Sequence, residues 1–207
     1  MDKKSTIQNG ITILKDVFGV MPNSFLILGT ALGAVRENDF ILNKMFDIDV
    51  GIMSDDFEWK QITELIRRGF DIRLVLGKRN YGLSIHLIKD DIHTDILLFY
   101  RNENRVWSVS WLFDLEMYHE FSEEAFEITE QEIGGNRFRS LGKKYLEEYY
   151  GENWKTPQEL FDWLNEPQSI KFVLQDKQFQ ETGYNIYMNK NEGEKLLGRV
   201  LQKKFHK

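Results

Sequence analysis

Apolar positions along the chain fall into a few periodic segments. Ile7, Ile11, Leu14 and Phe18 recur at helical spacing until Pro22 interrupts them, which predicts an amphipathic helix over residues 5–20. Phe25-Leu26-Ile27-Leu28 is a short apolar run ending in Gly29-Thr30, and the small residues of Ala31-Leu32-Gly33-Ala34-Val35 follow. That order predicts a strand, a glycine turn and a helix packed closely on a sheet. Asp47-Ile48-Asp49-Val50-Gly51-Ile52 alternates strictly. A strand here puts Asp47 and Asp49 on one face and Ile48, Val50 and Ile52 on the other.

Ser54-Asp55-Asp56 reads as a helix start, with Trp59, Ile62, Leu65 and Ile66 as the buried stripe of a helix ending near Gly69. Strands are expected at Asp71 to Leu76, Tyr81 to Ile88 and His93 to Tyr100, the last two forming a hairpin around Lys89-Asp90-Asp91, and again from Trp107 to Leu112. Residues 113–138 show no clean period and read as irregular or short helical structure. Leu141 to Tyr150 predicts a helix stopped by Gly151 and Pro157, and helical spacing resumes at Leu160, Phe161 and Leu164. Leu196, Leu197, Val200, Leu201 and Phe205 form a last helical stripe, surrounded by Lys195, Arg199, Lys203 and Lys204. No linker, repeat or low-complexity tract divides the chain. The expectation is a single α+β domain over residues 1–207: a mixed β-sheet with flanking helices and a helical C-terminal extension at about 168–207.

At 207 residues the chain is long enough to bury a core without disulfides or a structural metal. It contains no cysteine, which excludes a disulfide scaffold, a thiolate nucleophile and cysteine-ligated zinc or iron–sulfur sites. A formal net charge of -6 argues against a nucleic-acid partner held by a broadly basic surface. Neither a signal-peptide pattern nor a run of apolar residues long enough to span a bilayer occurs, so a cytoplasmic protein is expected.

The chemistry rests on aspartates. Asp-x-Asp on a strand is costly when buried unpaired, because like charges repel and desolvation adds to the penalty. A divalent cation removes that cost, and oxygen-only ligands suit Mg²⁺ or Mn²⁺. Asp95 interrupts the otherwise apolar run from Ile92 to Phe99 and is the natural third ligand. If Lys89 pairs with Ile92 across a two-residue turn, His86 lies opposite Asp95 on the same face, as a candidate phosphate contact; a longer turn moves it away. A satisfied, partly buried histidine is the plainer reading of His86. Gly29 and Thr30, at a strand-to-helix turn, offer backbone N–H groups to a phosphate.

These residues resemble the nucleotidyltransferase-fold superfamily, with its Gly-Ser/Thr turn, Asp-x-Asp strand and third acid on another strand. More narrowly, Leu28-Gly29-Thr30-Ala31-Leu32-Gly33-Ala34-Val35-Arg36, then Phe40-Ile41 and Phe46-Asp47-Ile48-Asp49-Val50-Gly51-Ile52, is similar to the LicD and fukutin families of phosphotransferases. Thr94-Asp95-Ile96-Leu97-Leu98-Phe99-Tyr100 is similar as well, and Tyr150-Gly151-Glu152-Asn153-Trp154-Lys155-Thr156-Pro157 resembles the fukutin Tyr-Gly-x-x-Trp-x-x-Pro segment. The likeness spans residues 25–167 in matching order. Asn43-Lys44-Met45-Phe46 stands where LicD proteins usually carry an acid-rich run, which places the chain nearer the fukutin side.

The resemblance implies transfer of a glycerol-phosphate, ribitol-phosphate or phosphocholine group from a CDP-linked donor to a glycan or lipid-linked glycan hydroxyl, releasing CMP. It implies Asp47 and Asp49 as ligands of Mg²⁺ or Mn²⁺, Asp95 as a further ligand or base, and Gly29, Thr30 and Arg36 as phosphate contacts. Lys155 joins them as a candidate, while Tyr150, Gly151, Trp154 and Pro157 read first as a packed helix-to-loop corner. The C-terminal basic helix, with Lys203, Lys204 and Lys207, offers peripheral membrane contact, against a solvated face as the plainer reading. The same three acids also serve a nucleotidyltransferase moving NMP from an NTP to a small molecule or protein. A non-catalytic nucleotide-binding protein is the third alternative.

Overall fold

The computed structural model describes residues 3–42, 46–112, 115–158 and 167–175. In chain order the elements are α1 (Lys3–Val20), β1 (Phe25–Leu26), α2 (Leu28–Glu37), β2 (Asp47–Met53), α3 (Trp59–Arg67), β3 (Asp71–Lys78), β4 (Tyr81–Lys89) and β5 (Ile92–Asn102). These are followed by β6 (Arg105–Leu112), β7 (Leu115–Ser122), β8 (Ile128–Ile133), β9 (Asn136–Leu141), α4 (Lys143–Tyr150) and β10 (Ile170–Gln175). The architecture is α+β, a mixed sheet with flanking helices, as the pattern predicts. The predicted helical segments at 160–164 and 192–205, and with them the basic residues Lys203, Lys204 and Lys207 considered for membrane contact, lie outside the described residues, as does the Asn43-Lys44-Met45 stretch. No helix among the described residues is long and apolar enough to cross a membrane.

The sheet runs β10-β7-β6-β5-β2-β1-β9-β8, and β4 joins it beside β5 with β3 as its outer neighbour. The long strand β5 holds this together. One of its edges pairs in parallel with β2 from His93 to Phe99, while the other pairs first with β4 and then, beyond Leu97, with β6 through Tyr100 to Asn102. The β4–β5 hairpin turns through Asp90 and Asp91, whose φ angles of 50° and 61° are those of a tight two-residue turn that matches the twist of its strands. Lys89 pairs with Ile92. At the hairpin tip, Lys89 Nζ bonds Asp16 Oδ2 of α1 at 2.7 Å and the Arg68 carbonyl after α3 at 2.9 Å.

Four differences from the sequence reading have physical causes. Helix α2 begins at Leu28, so Gly29 and Thr30 occupy its first turn and do not form a separate turn before it. Ser54–Asp56 is a 3₁₀ turn, and α3 is capped instead by Glu58, whose side chain and that of Gln61 exchange bonds with each other's backbone N–H groups. Where the sequence reading expects residues 113–138 to be irregular or short helical, β7, β8 and most of β9 form, and where it expects the helical extension at about 168–207, Ile170–Gln175 adds to the sheet as β10, paired antiparallel with β7.

The core lies between the sheet and the helices. Phe25, Phe99, Phe121, Phe126 and Tyr145 pack as one aromatic group joining β1, β5, β7 and α4, with ring centroids 5.1 Å apart for Phe99–Phe126 and for Phe121–Tyr145. Gly51 sits against this group in mid β2. A Cβ there would lie 2.5 Å from the Phe25 ring, 2.8 Å from Ile27 Cγ2 and 2.9 Å from the Phe99 ring. The strand that carries the two aspartates thus approaches its neighbours as closely as a glycine permits. Gly51→Ala is expected to destabilise the fold by ~1–3 kcal/mol through overpacking. In thermal unfolding that corresponds to roughly 2–4 °C per kcal/mol for a domain of this size, and an unchanged Tm would contradict the close packing.

Candidate active site

The register of three neighbouring strands assembles the acidic cluster. Across the parallel β2–β5 pair, Asp49 stands opposite Asp95 and Asp47 opposite His93. Across the antiparallel β4–β5 pair, His86 stands opposite Asp95. Directly opposed residues share a face, so Asp49, Asp95 and His86 form a row with Asp47 one pleat away. Among the described residues, Asp47, Asp49 and Asp95 are the cluster whose potential ligand atoms all lie within 4.8 Å of one another. The two-residue turn therefore meets the condition that the sequence sets for His86.

Asp49 is buried at 6% exposure, while Asp95 is partly and Asp47 more fully exposed. Burial, reinforced by the charges of Asp47 and Asp95, holds the Asp49 carboxyl well above the ordinary carboxylate range. The N–H groups of Thr30 and Gly29, at the start of α2, offset part of that cost. In the same contact Thr30 Oγ1 accepts the Asp49 backbone N–H at 2.8 Å. Gly29 and Thr30 thus fix Asp49 first, whereas the sequence suggests them as phosphate contacts. Asp47 is pushed up to about 6, chiefly by desolvation and next by Asp95. Its carboxyl opens to a cavity, and the protein around that mouth limits its hydration.

The cavity, of about 200 Å³, is lined by Gly29, Thr30, Leu32, Arg36, Phe40, Ile41, Phe46, Asp47, Tyr150, Asn153, Trp154, Thr156 and Gln158. One wall is α2, one is the segment leading into β2, and the third is the corner after α4. Arg36 is anchored there. Its Nε donates to Glu37 Oε1 at 2.7 Å and its Nη1 to the Trp154 carbonyl at 3.4 Å, and the side chain is 15% exposed. Lys155 takes no place in the lining; its ammonium lies over the Trp154 ring, 5.5 Å from the centroid.

Tyr150 and Trp154 are both packed, as the sequence suggests, and part of the cavity wall. Burial raises the phenols of Tyr145, Tyr149 and Tyr150, so the wall near the aspartates carries no further negative charge at neutral pH. The apolar wall of Leu32, Phe40, Ile41 and Phe46 comes from the stretch that resembles the LicD and fukutin families, but nothing in the sequence marks these four as cavity lining. Ser84, which bonds His86, is missed as well, because its partner is visible only once the β4 register is known.

The donor set fits a hard divalent cation: three carboxylates from two rigid strands, one of them buried against the helix N-terminus and held in an unfavourable state without a counter-charge. A stability consequence follows for the metal-free chain. A carboxyl with a raised folded pKa keeps its proton in the folded state where the unfolded chain has already ionised. Its contribution therefore favours folding at low pH, declines as the pH climbs from the model-peptide value near 3.8 to about 6 for Asp47, and is lost above that. Asp49→Asn removes the repulsion while keeping an acceptor for the two N–H groups. In chelator near neutral pH the variant should unfold at least about 2–4 °C above wild type, the shift of ~1 kcal/mol in a domain of this size. The gap should close as the pH falls towards 4, and a variant less stable than wild type at neutral pH would refute the electrostatic account.

No protein-family profile and no curated protein sequence matches the chain. Among solved structures it is similar to the crystal structure of ANT(2")-Ia in complex with adenylyl-2"-tobramycin, at 14% sequence identity and a TM-score of 0.43, over 72% of this chain and 79% of that one.

Proposed function

We propose that the protein is a divalent-metal-dependent transferase that moves a phosphorus-centred group from a nucleotide-activated donor to a hydroxyl. The observation that carries this reading is the trio of carboxylates, Asp47, Asp49 and Asp95, brought together by strand register beside a cavity that also holds an arginine. Mg²⁺ or Mn²⁺, when bound, neutralises charge on the donor phosphates and on the leaving group. Asp47 and Asp49 are the residues that hold it. Asp95, on the neighbouring strand, completes the ligand set or takes the proton of the acceptor hydroxyl. Arg36, steadied by the Trp154 carbonyl and Glu37, supplies positive charge on the cavity wall for a donor phosphate. The apolar wall of Leu32, Phe40, Ile41 and Phe46 shelters the less polar part of the ligand.

Two donor classes fit this frame. In nucleotidyl transfer the acceptor oxygen bonds to the α-phosphorus of an NTP and pyrophosphate leaves; this reading draws on the carboxylate trio and on Arg36 at the cavity wall. In the second reading the donor is CDP-linked, as in the LicD and fukutin families: the acceptor oxygen bonds to the phosphorus bearing the alditol or choline, and CMP leaves. What favours it is a specific juxtaposition. The Leu28–Arg36 and Tyr150–Pro157 stretches, both of which resemble those families, are 114 residues apart from Arg36 to Tyr150 and meet at the same cavity. Glycan hydroxyls are then the acceptors.

Calorimetric titration of ATP, CTP, CMP, CDP-glycerol, CDP-ribitol and CDP-choline, with and without Mg²⁺ or Mn²⁺, tests the frame and separates the donors. Metal-dependent binding of one class, lost in Asp49→Ala, is the expected result; pyrophosphate or CMP release then identifies the reaction. Asp47→Ala and Asp49→Ala should reduce turnover by at least ~10²-fold and remain folded, and Asp95→Asn should reduce turnover with little change in nucleotide affinity. Absence of any metal-dependent nucleotide binding would remove the enzymatic reading.

A further inference from the structure

The ring of His86 is engaged at both nitrogens. Nδ1 lies 2.8 Å from Asp95 Oδ1, and Nε2 lies 3.2 Å from Ser84 Oγ. An ionised carboxylate only accepts hydrogen bonds, so Nδ1 carries the proton in this contact and, in the neutral ring, Nε2 accepts from the Ser84 hydroxyl. Ser84 is itself buried at 3% exposure, and His86 and Asp95 are each about a quarter exposed. Ser84 and His86 are two residues apart on β4 and so share a face, and Asp95 is the cross-strand partner of His86. The backbone thus lays out a line from Ser84 through His86 and Asp95 to Asp49.

We infer that His86 is a positioning residue for Asp95, steadied in turn by Ser84, and that it does not contact the donor phosphate. This rests on the metal-dependent reading above. With both ring nitrogens committed, neither is left for a substrate oxygen. The N–H bond to Oδ1 restricts rotation of the Asp95 carboxylate, so that its remaining lone pairs face Asp47 and Asp49 in one arrangement. Partners of this kind commonly change metal affinity about tenfold to a hundredfold when removed, because the ligand loses its fixed direction before the ion arrives. Ser84 acts one step further back, by setting the tilt of the imidazole.

The test is Mn²⁺ binding to the purified protein, followed by the loss of the free-ion electron paramagnetic resonance signal, with folding of each variant checked by thermal unfolding. His86→Ala should weaken Mn²⁺ binding about tenfold to a hundredfold. His86→Asn, whose amide N–H reaches the position of Nδ1–H, should recover most of that loss, and Ser84→Ala should show a smaller loss in the same direction. In turnover assays the metal concentration for half-maximal rate should rise in His86→Ala while the donor KM stays near wild type. Wild-type Mn²⁺ affinity in His86→Ala would overturn the inference, as would equal loss in His86→Ala and His86→Asn, or a rise confined to donor KM. If wild-type protein binds no Mn²⁺, or binds it equally well after Asp49→Ala, the metal reading fails and takes this inference with it. If Asp49→Ala abolishes binding and His86→Ala does not weaken it, only the role of His86 falls.

Discussion

Everything in the site depends on the parallel pairing of β2 with β5. Parallel strands are usually covered on both faces and rich in branched apolar residues, and here Ile48, Val50, Ile52, Ile96 and Leu98 are buried accordingly. Into that setting the register inserts Asp49 directly opposite Asp95. Two carboxylates on adjacent parallel strands cannot relieve their repulsion by sliding, because a shift of one residue would turn the apolar set of β2 to the wrong face. Core packing therefore keeps the acids together against their own electrostatics. Asp47 and Asp49 are both raised above the usual carboxylate range, first by burial and then by their neighbours' charges, and so register that cost in the metal-free protein.

The start of α2 shares the load. Helix N-termini attract anions, and a phosphate is the obvious tenant when Gly-Thr follows a strand. In this fold the first tenant is the Asp49 carboxylate, and Thr30 answers by accepting the Asp49 N–H. The contact ties strand and helix reciprocally, so the orientation of the buried acid is set by backbone atoms as well as by its own rotamer. Leu28, at the head of the helix, has a φ of 45°, a value that a branched side chain seldom adopts. Strain of this kind persists where surrounding contacts over-determine it, here between the short strand β1 and the buried end of α2.

Much of this was legible in the chain. The alternation of Asp47 to Ile52 is a local signal, and so are the turn at Asp90-Asp91 and the stop at Gly151, because each depends only on residues close in sequence. Strand β7 was not legible, since its buried polar residues find partners far away: Tyr81 donates to Glu116 from 35 residues upstream, and His119 meets Ser169 from 50 residues downstream. Read locally, Glu116 and His119 break the apolar pattern; in the fold both are buried, Glu116 accepting from Tyr81 and His119 bonded through Nδ1 to Ser169. The β8–β9 hairpin is different, because Gly134-Gly135, with φ angles of 52° and 77°, is a turn signal present in the sequence. Its flanking strands are too polar to show a buried face, with half of β8 exposed. Of the site, the aspartates and His86 are readable from strand period and turn length, whereas the bond from Ser84 and the meeting of the apolar residues with the corner after α4 require the register and the loop path.

That division separates chemistry from selectivity. The aspartates and His86 lie on strands fixed by core packing, which suits groups whose mutual distances have to be kept. The cavity wall comes instead from α2, from Phe40, Ile41 and Phe46 ahead of β2, and from Tyr150 to Gln158 after α4. Under the proposed function, an NTP and a CDP-linked donor would present the same kind of phosphate oxygens to the carboxylates and Arg36, so those residues would have no means of telling the two apart. They differ at the end of the phosphate chain: an NTP ends in a terminal phosphate, whereas a CDP-linked donor carries an alditol or choline there. On that reading, selection between them would belong to the connecting segments, where side chains can be exchanged without disturbing the β2–β5 register that holds the acids in place.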